Sequence, residues 1–177
     1  MNSLPTRFAA FLDRATDALA AVAGWLFFVV GGMLVFEVGA RYLFNAPTVW
    51  AEELSRFLQV WAVYLAAASV LRHRQMIRIG MLVDRLPPAT RSLVDALGML
   101  FVAAFALIGA WYGALIAADS IELGRTTATM LDVPQWTTEI AVPIGLSLLA
   151  LQCLLEAARA LARMRRGEPP PVSAAEH

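Results

Sequence analysis

Ala18-Leu-Ala-Ala-Val-Ala-Gly-Trp-Leu-Phe-Phe-Val-Val-Gly-Gly-Met-Leu-Val-Phe36 is a run of 19 residues without a charge, bounded by Asp17 and Glu37. A bilayer core about 30 Å thick takes about 20 helical residues, so this run is long enough to cross one. Three more charge-free runs follow, with 15 residues at 57–71, 23 at 96–118 and 16 at 140–155. The second and fourth are short, because 15 residues rise only about 22 Å. Their helices must extend through polar neighbours, residues 50–56 and 135–139, which places those residues at the membrane boundary. The expected fold class is an all-α membrane protein with four transmembrane helices, at about residues 18–40, 50–71, 94–118 and 135–158.

Composition agrees. Of 177 residues 59% are hydrophobic and 16% charged, and the mean hydropathy is +0.64, too apolar for a soluble domain of this length. All 14 basic residues are Arg, and almost all lie between the apolar runs. The N-terminal segment, the second loop and the tail together hold 11 of them, against 3 in the first and third loops. Positive residues are retained on the cytoplasmic side, so both termini and the middle loop are expected there. The third loop, with Asp119, Glu122, Asp132 and Glu139, would face outward.

The first run is longer than a secretory signal core and lacks a small-residue cleavage pattern, so it reads as a retained span. Before it, Phe8, Phe11, Leu12, Ala15 and Leu19 recur at helical spacing, which predicts an interfacial amphipathic segment. A second such segment is expected between spans two and three, where Ile77, Ile79, Met81 and Val83 alternate ahead of Pro87 and Pro88. Residues 1–166 read as a single transmembrane domain. The tail 167–177 has three consecutive prolines and no apolar period, and is expected to be extended or disordered.

Several chemistries are missing from the sequence. A transporter that works alone places ionisable groups inside the membrane, and the four runs have none. The histidines, His73 and His177, lie outside the spans, which disfavours haem. No dinucleotide or Walker loop and no His-Glu-x-x-His motif occurs, and Cys153 stands alone. Glu52 and Glu53 are adjacent, so on a helix they diverge by about 100° and make a poor acid/base pair. We therefore expect no enzyme, catalytic residue, bound cofactor, metal site or nucleic-acid partner.

What remains is partner binding. Glu37 and Arg41 are four residues apart at the end of the first span, within pairing distance on a helix. Asn45 to Thr48 has turn chemistry, and Thr48 can cap the second helix. Arg56 lies four residues after Glu52 and three after Glu53, so either carboxylate can pair with it. Two carboxylates facing one Arg leave a negative group over, for Arg41 or a partner protein to satisfy. The partner-interface candidates are Glu37, Arg41, Asn45, Trp50, Glu52, Glu53, Arg56, Trp61 and Trp136. The tryptophans also suit membrane-interface anchoring. Gly109, Gly113, Pro143 and Gly145 are candidates for close helix packing or a kink.

Taken together, Arg41-Tyr-Leu-Phe-Asn45 with Pro47, Trp50-Ala-Glu-Glu-Leu-Ser-Arg56, the Ile77 to Asp84 segment leading to Leu86-Pro87, and Val133-Pro-Gln-Trp136 leading to Pro143-Ile-Gly145 resemble the small, DctQ-like membrane subunit of tripartite ATP-independent periplasmic (TRAP) transporters. One departure is the lack of a histidine just before the Ile77 segment, where Met76 and Arg78 stand and His73 is displaced upstream. The resemblance implies a multi-pass subunit of the bacterial inner membrane that pairs with a large DctM-like permease. A periplasmic solute-binding protein would deliver an organic acid, and sodium coupling would reside in the large subunit. Membrane lipids are the remaining expected partner. A four-helix membrane assembly or lipid-interacting protein unrelated to uptake is the alternative.

Overall fold

The computed structural model describes residues 3–73, 87–129 and 131–166. The chain is built from α1 (Ser3–Leu43), α2 (Val49–Arg72), α3 (Pro88–Glu122), the single turn α4 (Trp136–Glu139) and α5 (Ala141–Arg166). Among the described residues, four stretches are long and apolar enough to cross a membrane: Ala9–Leu43, Val49–Arg72, Leu93–Glu122 and Trp136–Ala162. As chain length required, the second and fourth begin in the polar residues ahead of the charge-free runs. The alternating segment at 77–83 and the tail at 167–177 lie outside the described residues.

The amphipathic lead-in is not a separate element. Helix α1 runs unbroken for 41 residues, about 62 Å, roughly twice a bilayer core. No glycine interrupts it before Gly24, and Asp13 and Asp17 form ion pairs with Arg159 and Arg72 of other helices, which draws this part of α1 onto the bundle. Leu12 and Thr16 are buried there, while Phe11 is exposed.

The extensive pairings are α3 with α5, α1 with α2, and α2 with α5, so the helices stand in the order α1, α2, α5, α3 rather than around a common axis. Neighbours in sequence run antiparallel. The buried positions are mostly small: Ala23, Ala62, Ala103, Ala106, Ala150 and Ala157 are each at most 2% exposed. Large side chains point outward, with Trp25, Phe28, Phe101 and Phe105 each at least 70% exposed. Helices in lipid gain little from burying bulk, so small residues that allow close approach belong at their contacts. Leu71, Met99, Ala103, Cys153 and Ala157 form a cluster where α2, α3 and α5 converge.

Glycines mark the tightest approaches. A Cβ on Gly145 would stand 2.5 Å from Cβ and 2.7 Å from the carbonyl oxygen of Tyr64, so α5 lies directly against the α2 backbone. On α3, Gly113 faces Val142 and Pro143, and a Cβ on Gly109 would stand 2.7 Å from the end of the Leu146 side chain. Pro143 has no N–H for the carbonyl of Glu139, and the fourth span is interrupted at Ile140, which separates α4 from α5.

Candidate partner interface

At one end of the bundle the chain turns from α1 to α2 and loops from α3 to α4. Asn45 adopts φ 48°, a left-handed conformation that asparagine tolerates, and the Ala46 N–H reaches back to the Ala40 carbonyl at 3.0 Å, ending α1. Glu37, only 5% exposed, organises the turn. Its Oε1 accepts from Arg41 Nη2 at 2.7 Å and Nε at 3.2 Å. Its Oε2 accepts from the Thr48 backbone N–H at 2.9 Å and from the Thr48 hydroxyl. Thr48 does sit at the cap position of α2 with extended backbone, but its side chain makes no cap hydrogen bond. The hydroxyl is spent on the buried carboxylate instead.

The adjacent glutamates separate, as their angle on the helix requires. Glu52 pairs with Arg56, and both are open to solvent, at 56% and 71% side-chain exposure. Glu53 accepts from the hydroxyls of Thr127, at 2.6 Å, and Thr129. The expectation that both carboxylates face one Arg, with the surplus left for Arg41 or a partner protein, is thereby corrected: the third loop engages one oxygen of Glu53. Its second oxygen, Oε2, is buried with no hydrogen-bond partner among the described residues.

That loop is a small folded unit. Gly124 (φ 58°) and Asp132 (φ 46°) turn the backbone, and Thr126 and Pro134 form an isolated antiparallel bridge. The Thr127 N–H donates to the Val133 carbonyl at 2.9 Å, and the Gln135 N–H to that of Arg125 at 3.0 Å. Trp61 Nε1 donates to the Thr137 carbonyl at 3.1 Å, fastening α4 to α2. Trp50 is 45% exposed and its ring lies 6.1 Å from that of Phe36, and Trp136 is 38% exposed. Glu37, Arg41 and Asn45 are thus joined around one turn, whereas Glu53, Trp61 and Trp136 belong with the loop and α4. Gly109, Gly113, Gly145 and Pro143 lie instead on the α3–α5 and α2–α5 contacts. Thr127 and Thr129 were missed by the sequence reading; a lone surplus carboxylate and a Thr-rich loop were the available signal.

The opposite end holds a cluster that sequence reasoning did not assemble. Asp13 binds Arg159 Nη2 at 2.7 Å, Arg72 Nε at 3.2 Å and Gln152 Nε2 at 3.3 Å. Arg72 also binds Asp17 and donates to the Asp13 carbonyl at 3.0 Å, and Arg159 also binds Glu156. Gln152, fully buried, leaves its Oε1 without a partner among the described residues. Three helices distant in sequence meet here.

The family model described as "Tripartite ATP-independent periplasmic transporters, DctQ component" matches residues 30–163, which include the turn, the loop, all of α3 and most of α5. The chain belongs to this DctQ family. It is 31% identical over 141 residues to the C4-dicarboxylate TRAP transporter small permease protein DctQ of Rhodobacter capsulatus, covering 77% of this chain and 62% of that protein. It is 26% identical over 155 residues to the isethionate TRAP transporter permease protein DctMQ of Oleidesulfovibrio alaskensis, covering 84% of this chain and 24% of that longer protein. It is 33% identical over 66 residues to the sialic acid TRAP transporter small permease protein SiaQ of Vibrio cholerae, covering 37% of this chain and 38% of that protein. The DctQ family is a transporter component rather than an enzyme family, and the four apolar helices make this member a multi-pass membrane protein.

Proposed function

We propose that this chain is a scaffold for a large, DctM-like permease subunit in the bacterial inner membrane, within a transporter that takes up an organic acid delivered by a periplasmic binding protein and driven by sodium. Both termini and the 73–87 connection face the cytoplasm, as the distribution of Arg indicates. The end bearing Glu37, Arg41, Glu52, Glu53 and Arg56 faces the periplasm and docks the partners.

One observation carries this reading. The charged residues of the described helices sit at the two ends, leaving the charge-free runs between them in the middle of the bundle. A charge in mid-membrane is costly and is kept for pathways, so a protein with none there is suited to hold a moving partner rather than to carry an anion itself. The relatives are named for isethionate, C4-dicarboxylates and sialic acid, and this spread fits a subunit that leaves substrate choice to others.

Proteoliposomes test it. The chain alone should give no sodium-dependent organic-acid uptake, and adding the large subunit and the binding protein should restore it. Uptake by the isolated chain would overturn the scaffold role. Full uptake by the large subunit and binding protein without this chain would favour an assembly or lipid-interacting function.

A further inference from the structure

Between α1 and α2, near the amino-terminal end of α1, lies a cleft of about 480 Å³. Its walls are Ala20, Gly24 and Phe27 on one helix and Ala66 and Val70 on the other, while Asp17 and His73 stand at its mouth. A Cβ on Gly24 would meet nothing within 4 Å, so the space is open there. From Asp17 to Phe27 the cleft follows ten residues of helix, about 15 Å, which is half of a bilayer core of about 30 Å. One end is polar and sits where the charged cluster marks the membrane boundary; the other is apolar and ends near mid-membrane. Such a shape fits an amphiphile lying within a single leaflet.

The mouth narrows the class further. Among the described residues the cluster around it holds three carboxylates, Asp13, Asp17 and Glu156, against two guanidiniums, Arg72 and Arg159. Within those residues the mouth carries both signs, with the carboxylates in excess. The more accessible charge is negative: the Asp17 side chain is 45% exposed and that of Arg72 is 24% exposed. His73 Nδ1 is engaged by Ser69, which leaves Nε2 toward the mouth, 3.7 Å from Asp17. A headgroup that carries an ammonium with N–H donors for Asp17, and a phosphate for the adjoining Arg72, meets both signs.

We propose that this cleft binds one phosphatidylethanolamine, with its ammonium on Asp17 and an acyl chain along Gly24, Phe27 and Ala66. Phosphatidylcholine has no N–H to donate, and phosphatidylglycerol brings only negative charge toward Asp17. The lipid would fill the gap between α1 and α2.

Native mass spectrometry of the full chain, titrated with phosphatidylethanolamine, phosphatidylcholine and phosphatidylglycerol of matched acyl chains, tests the assignment. The first should be retained about tenfold more tightly than the others, equivalent to about 1.4 kcal/mol. Asp17→Asn should erase that preference. Gly24→Leu and Val70→Phe, which fill the cleft from different helices, should each lower phosphatidylethanolamine retention, so a folding defect in one leaves the other to decide. Equal retention of the three lipids, or no effect of either filling, overturns the proposal. A photocrosslinker at position 24 in cell membranes should capture lipid; capture of a protein instead overturns the proposal and assigns the cleft to a partner helix.

Discussion

The two ends of the bundle are both closed by charge, but they close different things. At the turn end, Glu37 binds Arg41 and Thr48, four and eleven residues away, and Glu52 binds Arg56 four residues on. Of the three glutamates, Glu53 reaches across the chain, to Thr127 and Thr129. At the opposite end Asp13 binds Arg159, 146 residues on, and Arg72 between them. The first end therefore shapes a turn and a loop, with the Glu52–Arg56 pair open to solvent. The second joins first and last helices that otherwise share little contact. Because the helices stand in a row, a tie at one end carries more of the tertiary organisation than the same tie would in a closed bundle.

The largest effect should come from breaking that tie. Arg159→Ala strips the shared cation from Asp13 and Glu156, and Glu156 is 8% exposed in its side chain. Removing one partner of a fully buried pair costs about 3–5 kcal/mol; since the Arg159 side chain is 31% exposed, about 2–3 is expected. The check is denaturant unfolding in detergent, and a loss below 1 kcal/mol would show that the two ends are equally weak. A smaller loss should follow Glu53→Ala, which gives up two hydrogen bonds to a carboxylate but also removes the unpartnered Oε2, for a net of about 1–2 kcal/mol. Proteolysis should then cut within 123–135 faster than in the wild type. Unchanged cleavage would mean that the loop holds itself through the Thr126–Pro134 bridge.

The same contrast decides what was legible in sequence. The spans, their polar extensions and the Glu37–Arg41 pair follow from helical periodicity and the length of a bilayer, both of which are local quantities; the same periodicity offers Arg56 to Glu52 and Glu53 alike and does not choose Glu52. Contacts between distant residues are not local. In sequence the Arg residues of the second loop and the tail carry a topology signal, yet two of them, Arg72 and Arg159, also neutralise Asp13. Spacing also cannot rank competing acceptors: Thr48 is a good capping residue, yet a buried carboxylate takes its hydroxyl. The separation of Glu52 from Glu53 was implied by the 100° between them, but the destination of Glu53 lay 74 residues away.

The smallest effect on the chain itself should come from Arg56→Ala. Both members of its pair are more than half exposed, and exposed pairs are worth about 0–1 kcal/mol, so the unfolding midpoint of the isolated chain should hardly move. That insensitivity makes the variant informative. Any loss of large-subunit recovery in a pull-down must then come from the interface rather than from a damaged fold, and the proposed docking role requires such a loss together with reduced uptake. An Arg buried against a partner is worth far more than the same Arg in solvent, because binding strips its water and leaves Glu52 unpaired when it is removed. Arg14→Ala, at the opposite end of α1, provides the control and should leave complex recovery unchanged. If Arg56→Ala matches the wild type in recovery and uptake, Glu52 and Arg56 are a solvated helix end, and the partner's contacts must be sought on the outward aromatic faces of α1 and α3.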